Sequence, residues 1–192
     1  MVAFVSIYYF FLFYIINFYI VLDFLISYCN RDFANKNGME QNYIFALGIL
    51  FGIVNGSSRF LWGFLMDKLG FRILLFIITS IELTVGISIY FMVKVPIIYV
   101  LEVLLIGACI GGNFVILAPT FSKIFGLKVG PELYGLTSIA IGIANLSGPI
   151  LTKIMLNDNK DFLITFIIGS CLSGIKIILL LFFKEDKYEF KN

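Results

Sequence analysis

The sequence predicts an all-α membrane protein with six transmembrane helices. Of its 192 residues, 60% are hydrophobic and only 14% are charged, and the mean hydropathy is +1.02. Soluble domains are about 45–50% apolar and about 25% charged, so this excess of apolar side chains cannot be buried in one small core. Six stretches reach the roughly 20 apolar residues that a helix needs to cross a bilayer.

Each of the six predicted helices carries at most one charged side chain. The helices cover residues 2–29, 43–66, 73–93, 95–118, 133–152 and 162–183. The charges inside them are, in chain order, Asp23, Arg59, Glu82, Glu102 and Lys176, and the fifth helix carries none. No connection between the helices is long enough for a soluble domain, so residues 1–192 are expected to form a single transmembrane domain.

The connections between the helices are predicted to be short loops. Residues 30–42 form a polar connection, the longest on its side of the membrane, and residues 67–72 form a very short basic one. Residues 119–132 mix apolar side chains with Lys123 and Lys128, which predicts a segment that lies along the membrane interface.

The distribution of basic residues predicts the orientation in the membrane. Six crossings place both termini on one side. That side collects Lys68, Arg72, Lys123, Lys128, Lys184, Lys187 and Lys191, whereas the other collects Arg31, Lys36, Lys94, Lys153 and Lys160. Because basic residues are enriched in cytoplasmic loops, we expect both termini in the cytoplasm.

The composition excludes several functional classes. The chain has no histidine, which removes Ser-His-Asp and Cys-His catalysis, most zinc sites and haem ligation by imidazole. Cys29, Cys109 and Cys171 stand singly in apolar segments and are predicted to be buried thiols. A net charge of +2 is too balanced for a nucleic-acid partner. We therefore expect no enzyme, metal or cofactor, and a lipid bilayer as the surroundings.

Arg59 and Asn55 are candidate substrate-binding residues. A charge in hydrocarbon costs about 2.5–3.5 kcal/mol on insertion scales, so each one needs a partner or a function. Arg59 lies near the middle of its helix, with Asn55 one turn earlier on the same face. A guanidinium fork suits a carboxylate. The alternatives are a structural ion pair and an arginine whose side chain reaches the cytoplasmic edge.

The other intramembrane charges suggest a buried pair and two outer acids. Glu82 and Lys176 lie at similar depths, and a lysine stem can bridge the difference, so we expect an ion pair between them. Asp23 and Glu102 are predicted to lie nearer the outer surface, solvated at a cavity mouth or carrying protons.

Two series of glycines predict close helix packing. Glycines at 48, 52 and 56 recur every fourth residue, and Gly107 and Gly111, followed by Gly112 and Asn113, repeat the pattern in the fourth helix. Small residues at this spacing let a neighbouring helix approach closely.

Residues 63–72 resemble the signature of a known transporter family. They read GFLMDKLGFR, which is similar to G-x-L-x-D-[RK]-x-G-[RK]-[RK] of the major facilitator superfamily, with one departure at Phe71. In that family the motif occupies the cytoplasmic loop between the second and third helices of a six-helix half. The resemblance implies a gating role for Gly63, Asp67, Lys68, Gly70 and Arg72. Asp67 is expected to meet the N-terminus of a neighbouring helix.

Further matches resemble oxalate/formate antiporter-like and monocarboxylate transporters. Residues 55–63 read NGSSRFLWG, similar to the N-G-x-x-R-x-x-x-G of those families. The later matches are Gly111-Gly112, Pro119, Phe125-Gly126, Tyr134-Gly135 and Gly148-Pro149. The resemblance is to the C-terminal six helices, and it implies that Arg59 contacts a substrate carboxylate.

Two departures narrow the substrate that the resemblance implies. Oxalate antiporters carry a lysine that residues 137–143 lack, which favours a monocarboxylate over a dicarboxylate. Asn55 stands where monocarboxylate carriers usually have an aspartate, so the usual proton coupling is not implied.

The length of the chain corresponds to one half of such a carrier. We expect an incomplete gene product, or a half that pairs with itself or with another half. The predicted function is transport of a small organic anion by alternating access. The alternatives are a non-transporting six-helix fragment or accessory subunit, and a carrier for another small solute such as an amino acid or a sugar.

Overall fold

The structure, a computed structural model, describes residue 23, residues 26–156 and residues 162–182. The described part of α1 covers residues 26–36. It is followed by α2 (Gln41–Leu69), α3 (Phe71–Met92), α4 (Pro96–Leu156) and α5 (Phe162–Phe182). Four of these helices, α2 to α5, are long and apolar enough to cross a membrane. The prediction of an all-helical membrane protein is confirmed, whereas the count of six crossings remains a prediction.

The 61-residue α4 changes direction at Gly126, whose φ of 81° and ψ of 163° are not helical. Glycine adopts this left-handed region without a steric penalty. The rings of Phe121 and Tyr134 lie 6.0 Å apart, and a Cβ atom on Gly130 would meet the carbonyl oxygen of Phe121 at 2.6 Å. Residues nine apart in a straight helix are separated by about 13 Å. The chain therefore folds back at Gly126, which divides α4 into segments 96–125 and 127–156.

The segment predicted as the first loop is helical as far as residue 36, so the helix boundary predicted at residue 29 is wrong. Phe33 and Ala34 continue the buried apolar face of α1, and the Asn37 side-chain amide donates a hydrogen bond to the Phe33 carbonyl at 2.8 Å. The chain turns only at residues 37–40, where Gly38 has a φ of 73°. Asn30 is buried, whereas Arg31, Asp32, Asn35 and Lys36 are exposed on the helix. These polar side chains therefore do not mark its end.

The segment predicted to lie along the membrane interface, residues 119–132, belongs to the two parts of α4 and includes the turn at Gly126. Phe121, Ile124 and Phe125 are buried in one apolar cluster with residues of α2 and α3. These apolar side chains follow a helical period that directs them into the protein, whereas Leu127, beyond the turn, is exposed. That the segment lies along the membrane interface stays a prediction.

The helices pack around two apolar clusters. One contains Trp62, Phe71 and Phe121. The other surrounds Phe33, whose ring lies 5.0 Å from that of Phe162. Tyr99 belongs to the same cluster. α4 packs against α2 and α3, and α5 packs mainly against α3.

The three cysteines differ in burial. Cys29 and Cys109 are buried as predicted, whereas Cys171 is exposed on α5. That prediction is wrong because an apolar side chain on a membrane helix can face lipid as readily as a protein core.

Candidate functional site

The glycines of α4 bring its backbone against α2. A Cβ atom on Gly111 would lie 2.5 Å from the carbonyl oxygen of Asn55, so no larger residue fits without separating the helices. The carbonyl of Ala108 accepts hydrogen bonds from Ser58 Oγ at 3.2 Å and from Trp62 Nε1 at 2.8 Å. This contact fixes the height and rotation of α2, and with them the position of Arg59.

Arg59 and Asn55 lie together, with their polar atoms on an open side of α2. Arg59 Nη2 donates a hydrogen bond to Asn55 Oδ1 at 3.3 Å, and the guanidinium carbon lies 5.8 Å from the centre of the Phe114 ring. Arg59 is exposed and Asn55 is half-buried. Within the described ranges no carboxylate forms an ion pair with Arg59. A guanidinium has five N–H donors, and most of these remain available to a ligand.

The face of α2 that carries the glycine series is only partly covered. The guanidinium of Arg31 lies against Gly48, whereas a Cβ atom on Gly52 or Gly56 would have no neighbour within 4 Å among the residues described. Phe60, next to Arg59 in the sequence, is 86% exposed. The close packing predicted for this glycine series is therefore not found at Gly52 or Gly56 among the described residues.

The predicted gating motif forms the junction of α2 and α3. α2 continues through Asp67 and Lys68 to Leu69, and Gly70 alone separates it from α3, with a φ of 77°. Arg72 Nη2 donates a hydrogen bond to the Leu181 carbonyl at 3.0 Å, which ties the junction to the end of α5.

The remaining residues of the motif make weaker contacts. Lys68 Nζ lies 4.3 Å from the centre of the Phe64 ring, and a Cβ atom on Gly63 would make ordinary contact with Val115 of α4. Asp67 is exposed and has no hydrogen bond or ion pair with the rest of the described chain. The expected contact between Asp67 and a helix N-terminus is thus not among those that the structure describes.

Glu82 and Lys176 meet inside the protein. Lys176 Nζ lies 3.1 Å from Glu82 Oε2, and both side chains are fully buried. The side-chain amide of Asn113 donates one hydrogen bond to Glu82 Oε1 at 2.7 Å and another to Asp23 Oδ2 at 3.0 Å. The structure therefore joins an acid–base pair, a second acid and an amide in one buried cluster.

Asp23 lies in this cluster and not at an outer surface. It is only 1% exposed, and the prediction of a solvated position at a cavity mouth is wrong. Because α1 continues to residue 36 and does not end at residue 29, the end of the helix lies about 10 Å farther from Asp23 than predicted.

Glu102 is half-buried and accepts a hydrogen bond from Ser88 Oγ at 2.6 Å, so it too has a protein contact. Asn113 was recognised in the sequence only as an extension of the glycine series. The sequence signal for its place in the cluster is its depth, because Asn113 is a polar amide at about the same depth in the membrane as Glu82.

The acidic and sulfur-containing side chains of the described residues form no group of three or more that could hold a metal ion. The chemistry that these residues offer is ionic and hydrogen-bonding. One group, around Arg59, is open, and the other, around Glu82, is buried.

Two comparisons with known proteins bear on the chain. The profile of the family described as the Major Facilitator Superfamily matches residues 2–191, almost the whole sequence. A comparison with curated proteins finds no matching relative.

Proposed function

The chain belongs to the major facilitator superfamily of membrane transporters, and we propose that it forms one six-helix half of an alternating-access carrier for a small organic anion of the monocarboxylate type. Members of this family are transporters and not enzymes. The protein is an integral, multi-pass membrane protein. In the proposed arrangement the chain is one transmembrane domain with six crossings and cytoplasmic termini, and the turn at Gly126 separates the fourth crossing from the fifth.

The observation that carries the anion proposal is the exposed guanidinium of Arg59. Its position is fixed by a hydrogen bond to Asn55 and by the ring of Phe114, while most of its donors remain available. An arginine fork binds a carboxylate through two parallel hydrogen bonds, which lysine cannot reproduce. Arg59 would thus bind the carboxylate, and Asn55 would hold the fork in the orientation that the carboxylate requires.

The open face of α2 supports a second half as the partner. The exposed Arg59, the uncovered Gly52 and Gly56 and the nearly free ring of Phe60 lie on this helix. In the proposed carrier, a second six-helix unit closes this side and forms the other wall of the substrate cavity. The unit is supplied by a longer form of this protein, a second copy or a separate chain.

The junction at Gly70 is proposed to act as the cytoplasmic gating element. Its short connection couples α2 to α3, and the hydrogen bond from Arg72 to the Leu181 carbonyl couples both to α5. A tilt of α2 would therefore move the ends of α3 and α5 as well, which suits the rigid-body rocking by which such carriers alternate.

Substitutions at Arg59 test the proposal. In proteoliposomes that contain the assembled protein, we measure saturable uptake of labelled pyruvate by the wild type, Arg59→Lys and Arg59→Gln. A hydrogen bond to a charged group contributes about 1.5–3 kcal/mol, so losing one bond of the fork should lower uptake by about tenfold or more. Arg59→Gln should lose more, because it also removes the charge.

Arg31→Lys is the matched control, because Arg31 is also an exposed arginine beside a glycine of α2. It should retain nearly full uptake at equal protein content. Normal uptake by Arg59→Lys would contradict the proposed role of the fork. Folded wild-type protein that takes up no anion would favour a non-transporting subunit.

A further inference from the structure

The buried cluster around Glu82 contains more acidic than basic groups. Asp23 and Glu82 supply two carboxyl groups, and Lys176 supplies one ammonium. All three side chains are at most 1% exposed, and Lys176 is the only fully buried basic side chain among the described residues. If every group were ionised, the cluster would carry one uncompensated negative charge, which is strongly unfavourable in a buried, apolar setting.

Two oxygen atoms of the same cluster lack hydrogen-bond donors. Asp23 Oδ1 and Asn113 Oδ1 are buried and have no hydrogen-bond partner in the described part of the chain. Both N–H groups of the Asn113 amide are already used, one on each acid. A buried acceptor without a donor costs about 1–3 kcal/mol, so this arrangement requires a further hydrogen.

We propose that the cluster is a proton-binding site, which holds one proton on Asp23 and is thereby neutral as a whole. A proton on Asp23 Oδ1 lets this oxygen donate a hydrogen bond to Asn113 Oδ1, while Asp23 Oδ2 accepts one from the Asn113 amide nitrogen. Such a pair satisfies the Asp23 and Asn113 oxygens together. One hydrogen thus removes both the excess charge and the lack of a donor.

The groups that face this site come from several helices. Asp23 lies at a helical position on the N-terminal side of residues 26–36 of α1, and Glu82 lies on α3. Asn113 and the thiol of Cys109 lie on α4, and Lys176 lies on α5. The charged groups that act on Asp23 are Glu82 and Lys176. The charge balance of the site is therefore set by two acids and one base.

A metal cation fits the site less well than a proton. Hard cations such as Ca²⁺ require about six to eight oxygen ligands, whereas only two oxygens of the cluster lack a partner. The ammonium of Lys176 already forms an ion pair with Glu82, and it would repel a metal cation bound beside it.

The site lies next to the candidate anion site along α4. Asn113 contacts both acids, and its neighbour Phe114 faces the guanidinium of Arg59. A change of proton occupancy that shifts α4 would therefore reach Arg59. This coupling rests on the proposed function, whereas the proton site itself does not.

Infrared spectroscopy of the purified full chain tests the site without any transport. The C=O stretching band of a protonated carboxyl group, recorded at pH 7 with no substrate, should be present in the wild type. Asp23→Asn should remove this band, because the remaining acid is balanced by Lys176. Lys176→Met should instead double it, because both acids then require a proton. Glu102→Gln, the control at a half-buried acid outside the cluster, should leave the band intact.

Two results would overturn the proposal. One is a wild-type spectrum without a protonated carboxyl at pH 7. The other is a band that survives in Asp23→Asn and disappears in Glu102→Gln. If Asp23→Asn fails to fold, the test rests on two other results: the protonated-carboxyl band of the wild type, and its doubling in Lys176→Met. Neither depends on substrate, so a chain that transports no anion can still confirm or refute the proton site.

Discussion

The ion pair between Glu82 and Lys176 should contribute strongly to stability when either partner is removed alone. The charged atoms are 3.1 Å apart and fully buried. With an effective dielectric constant of about 20, two unit charges at this distance attract by about 5 kcal/mol. Removing one partner of a buried pair typically costs about 3–5 kcal/mol, because the remaining group must stay charged without its partner or the cluster must gain or lose a proton to restore neutrality. We expect Glu82→Gln and Lys176→Met each to lower the free energy of unfolding by an amount in this range.

The double substitution should recover part of the loss. With Glu82 and Lys176 both replaced, neither charge is left without its partner, and apolar replacements of buried pairs are often tolerated. We expect a coupling energy of about 3 kcal/mol, at the upper end of the range for residues in contact. The free energies are measured by reversible unfolding of the purified chain in mixed micelles with increasing sodium dodecyl sulfate.

A second double-mutant cycle, on Glu102 and Lys176, serves as the control for the cycle on Glu82 and Lys176. Glu102 lies eleven residues before Asn113 on the same helix, which is about 16 Å. Glu102→Gln combined with Lys176→Met should therefore be additive within about 0.5 kcal/mol. If the losses from Glu82→Gln and Lys176→Met also add within about 0.5 kcal/mol, the reasoning is refuted, because the two charges then do not stabilise each other.

Two further predictions concern topology and packing. Cysteines introduced at Gly38 and Lys68 should react with a membrane-impermeant maleimide from opposite sides, with Lys68→Cys cytoplasmic; labelling of both in intact cells would contradict the predicted crossings. Gly111→Ala should lower stability by about 1–3 kcal/mol, because its Cβ atom meets the α2 backbone. Gly52→Ala, with open space beyond it, should be neutral or slightly stabilising in the same unfolding assay, since alanine favours the helix. Equal losses for both would show that α2 and α4 do not meet at Gly111.

The sequence was sufficient for the features that follow from composition and spacing. Apolar length predicted the helical membrane fold, and the resemblance at residues 63–72 pointed to the family that the profile match identifies. The narrower resemblance at residues 55–63 stays a prediction. The meeting of Glu82 and Lys176 follows from an elementary argument, because two opposite charges at equal depth in hydrocarbon stabilise each other.

The features that the sequence did not predict depend on where helices end. Residues 31–36 carry their polar side chains on the exposed face of α1, and this polar composition predicts a loop where the helix continues. That error displaced Asp23 by about two turns and concealed its contact with Asn113. Composition cannot reveal such contacts, because they depend on the relative height of helices that are distant in sequence.

The most direct test of the central claim is competition for uptake of labelled pyruvate by the assembled wild-type protein in proteoliposomes. If Arg59 binds a carboxylate, unlabelled monocarboxylates should inhibit uptake. The uncharged amide of the same acid should not, because it has no negative charge and offers only one acceptor oxygen to the fork. Inhibition should be lost together with uptake in Arg59→Gln and retained in Arg31→Lys. Equal inhibition by the acid and its amide would contradict an anion carrier whose substrate is bound by Arg59.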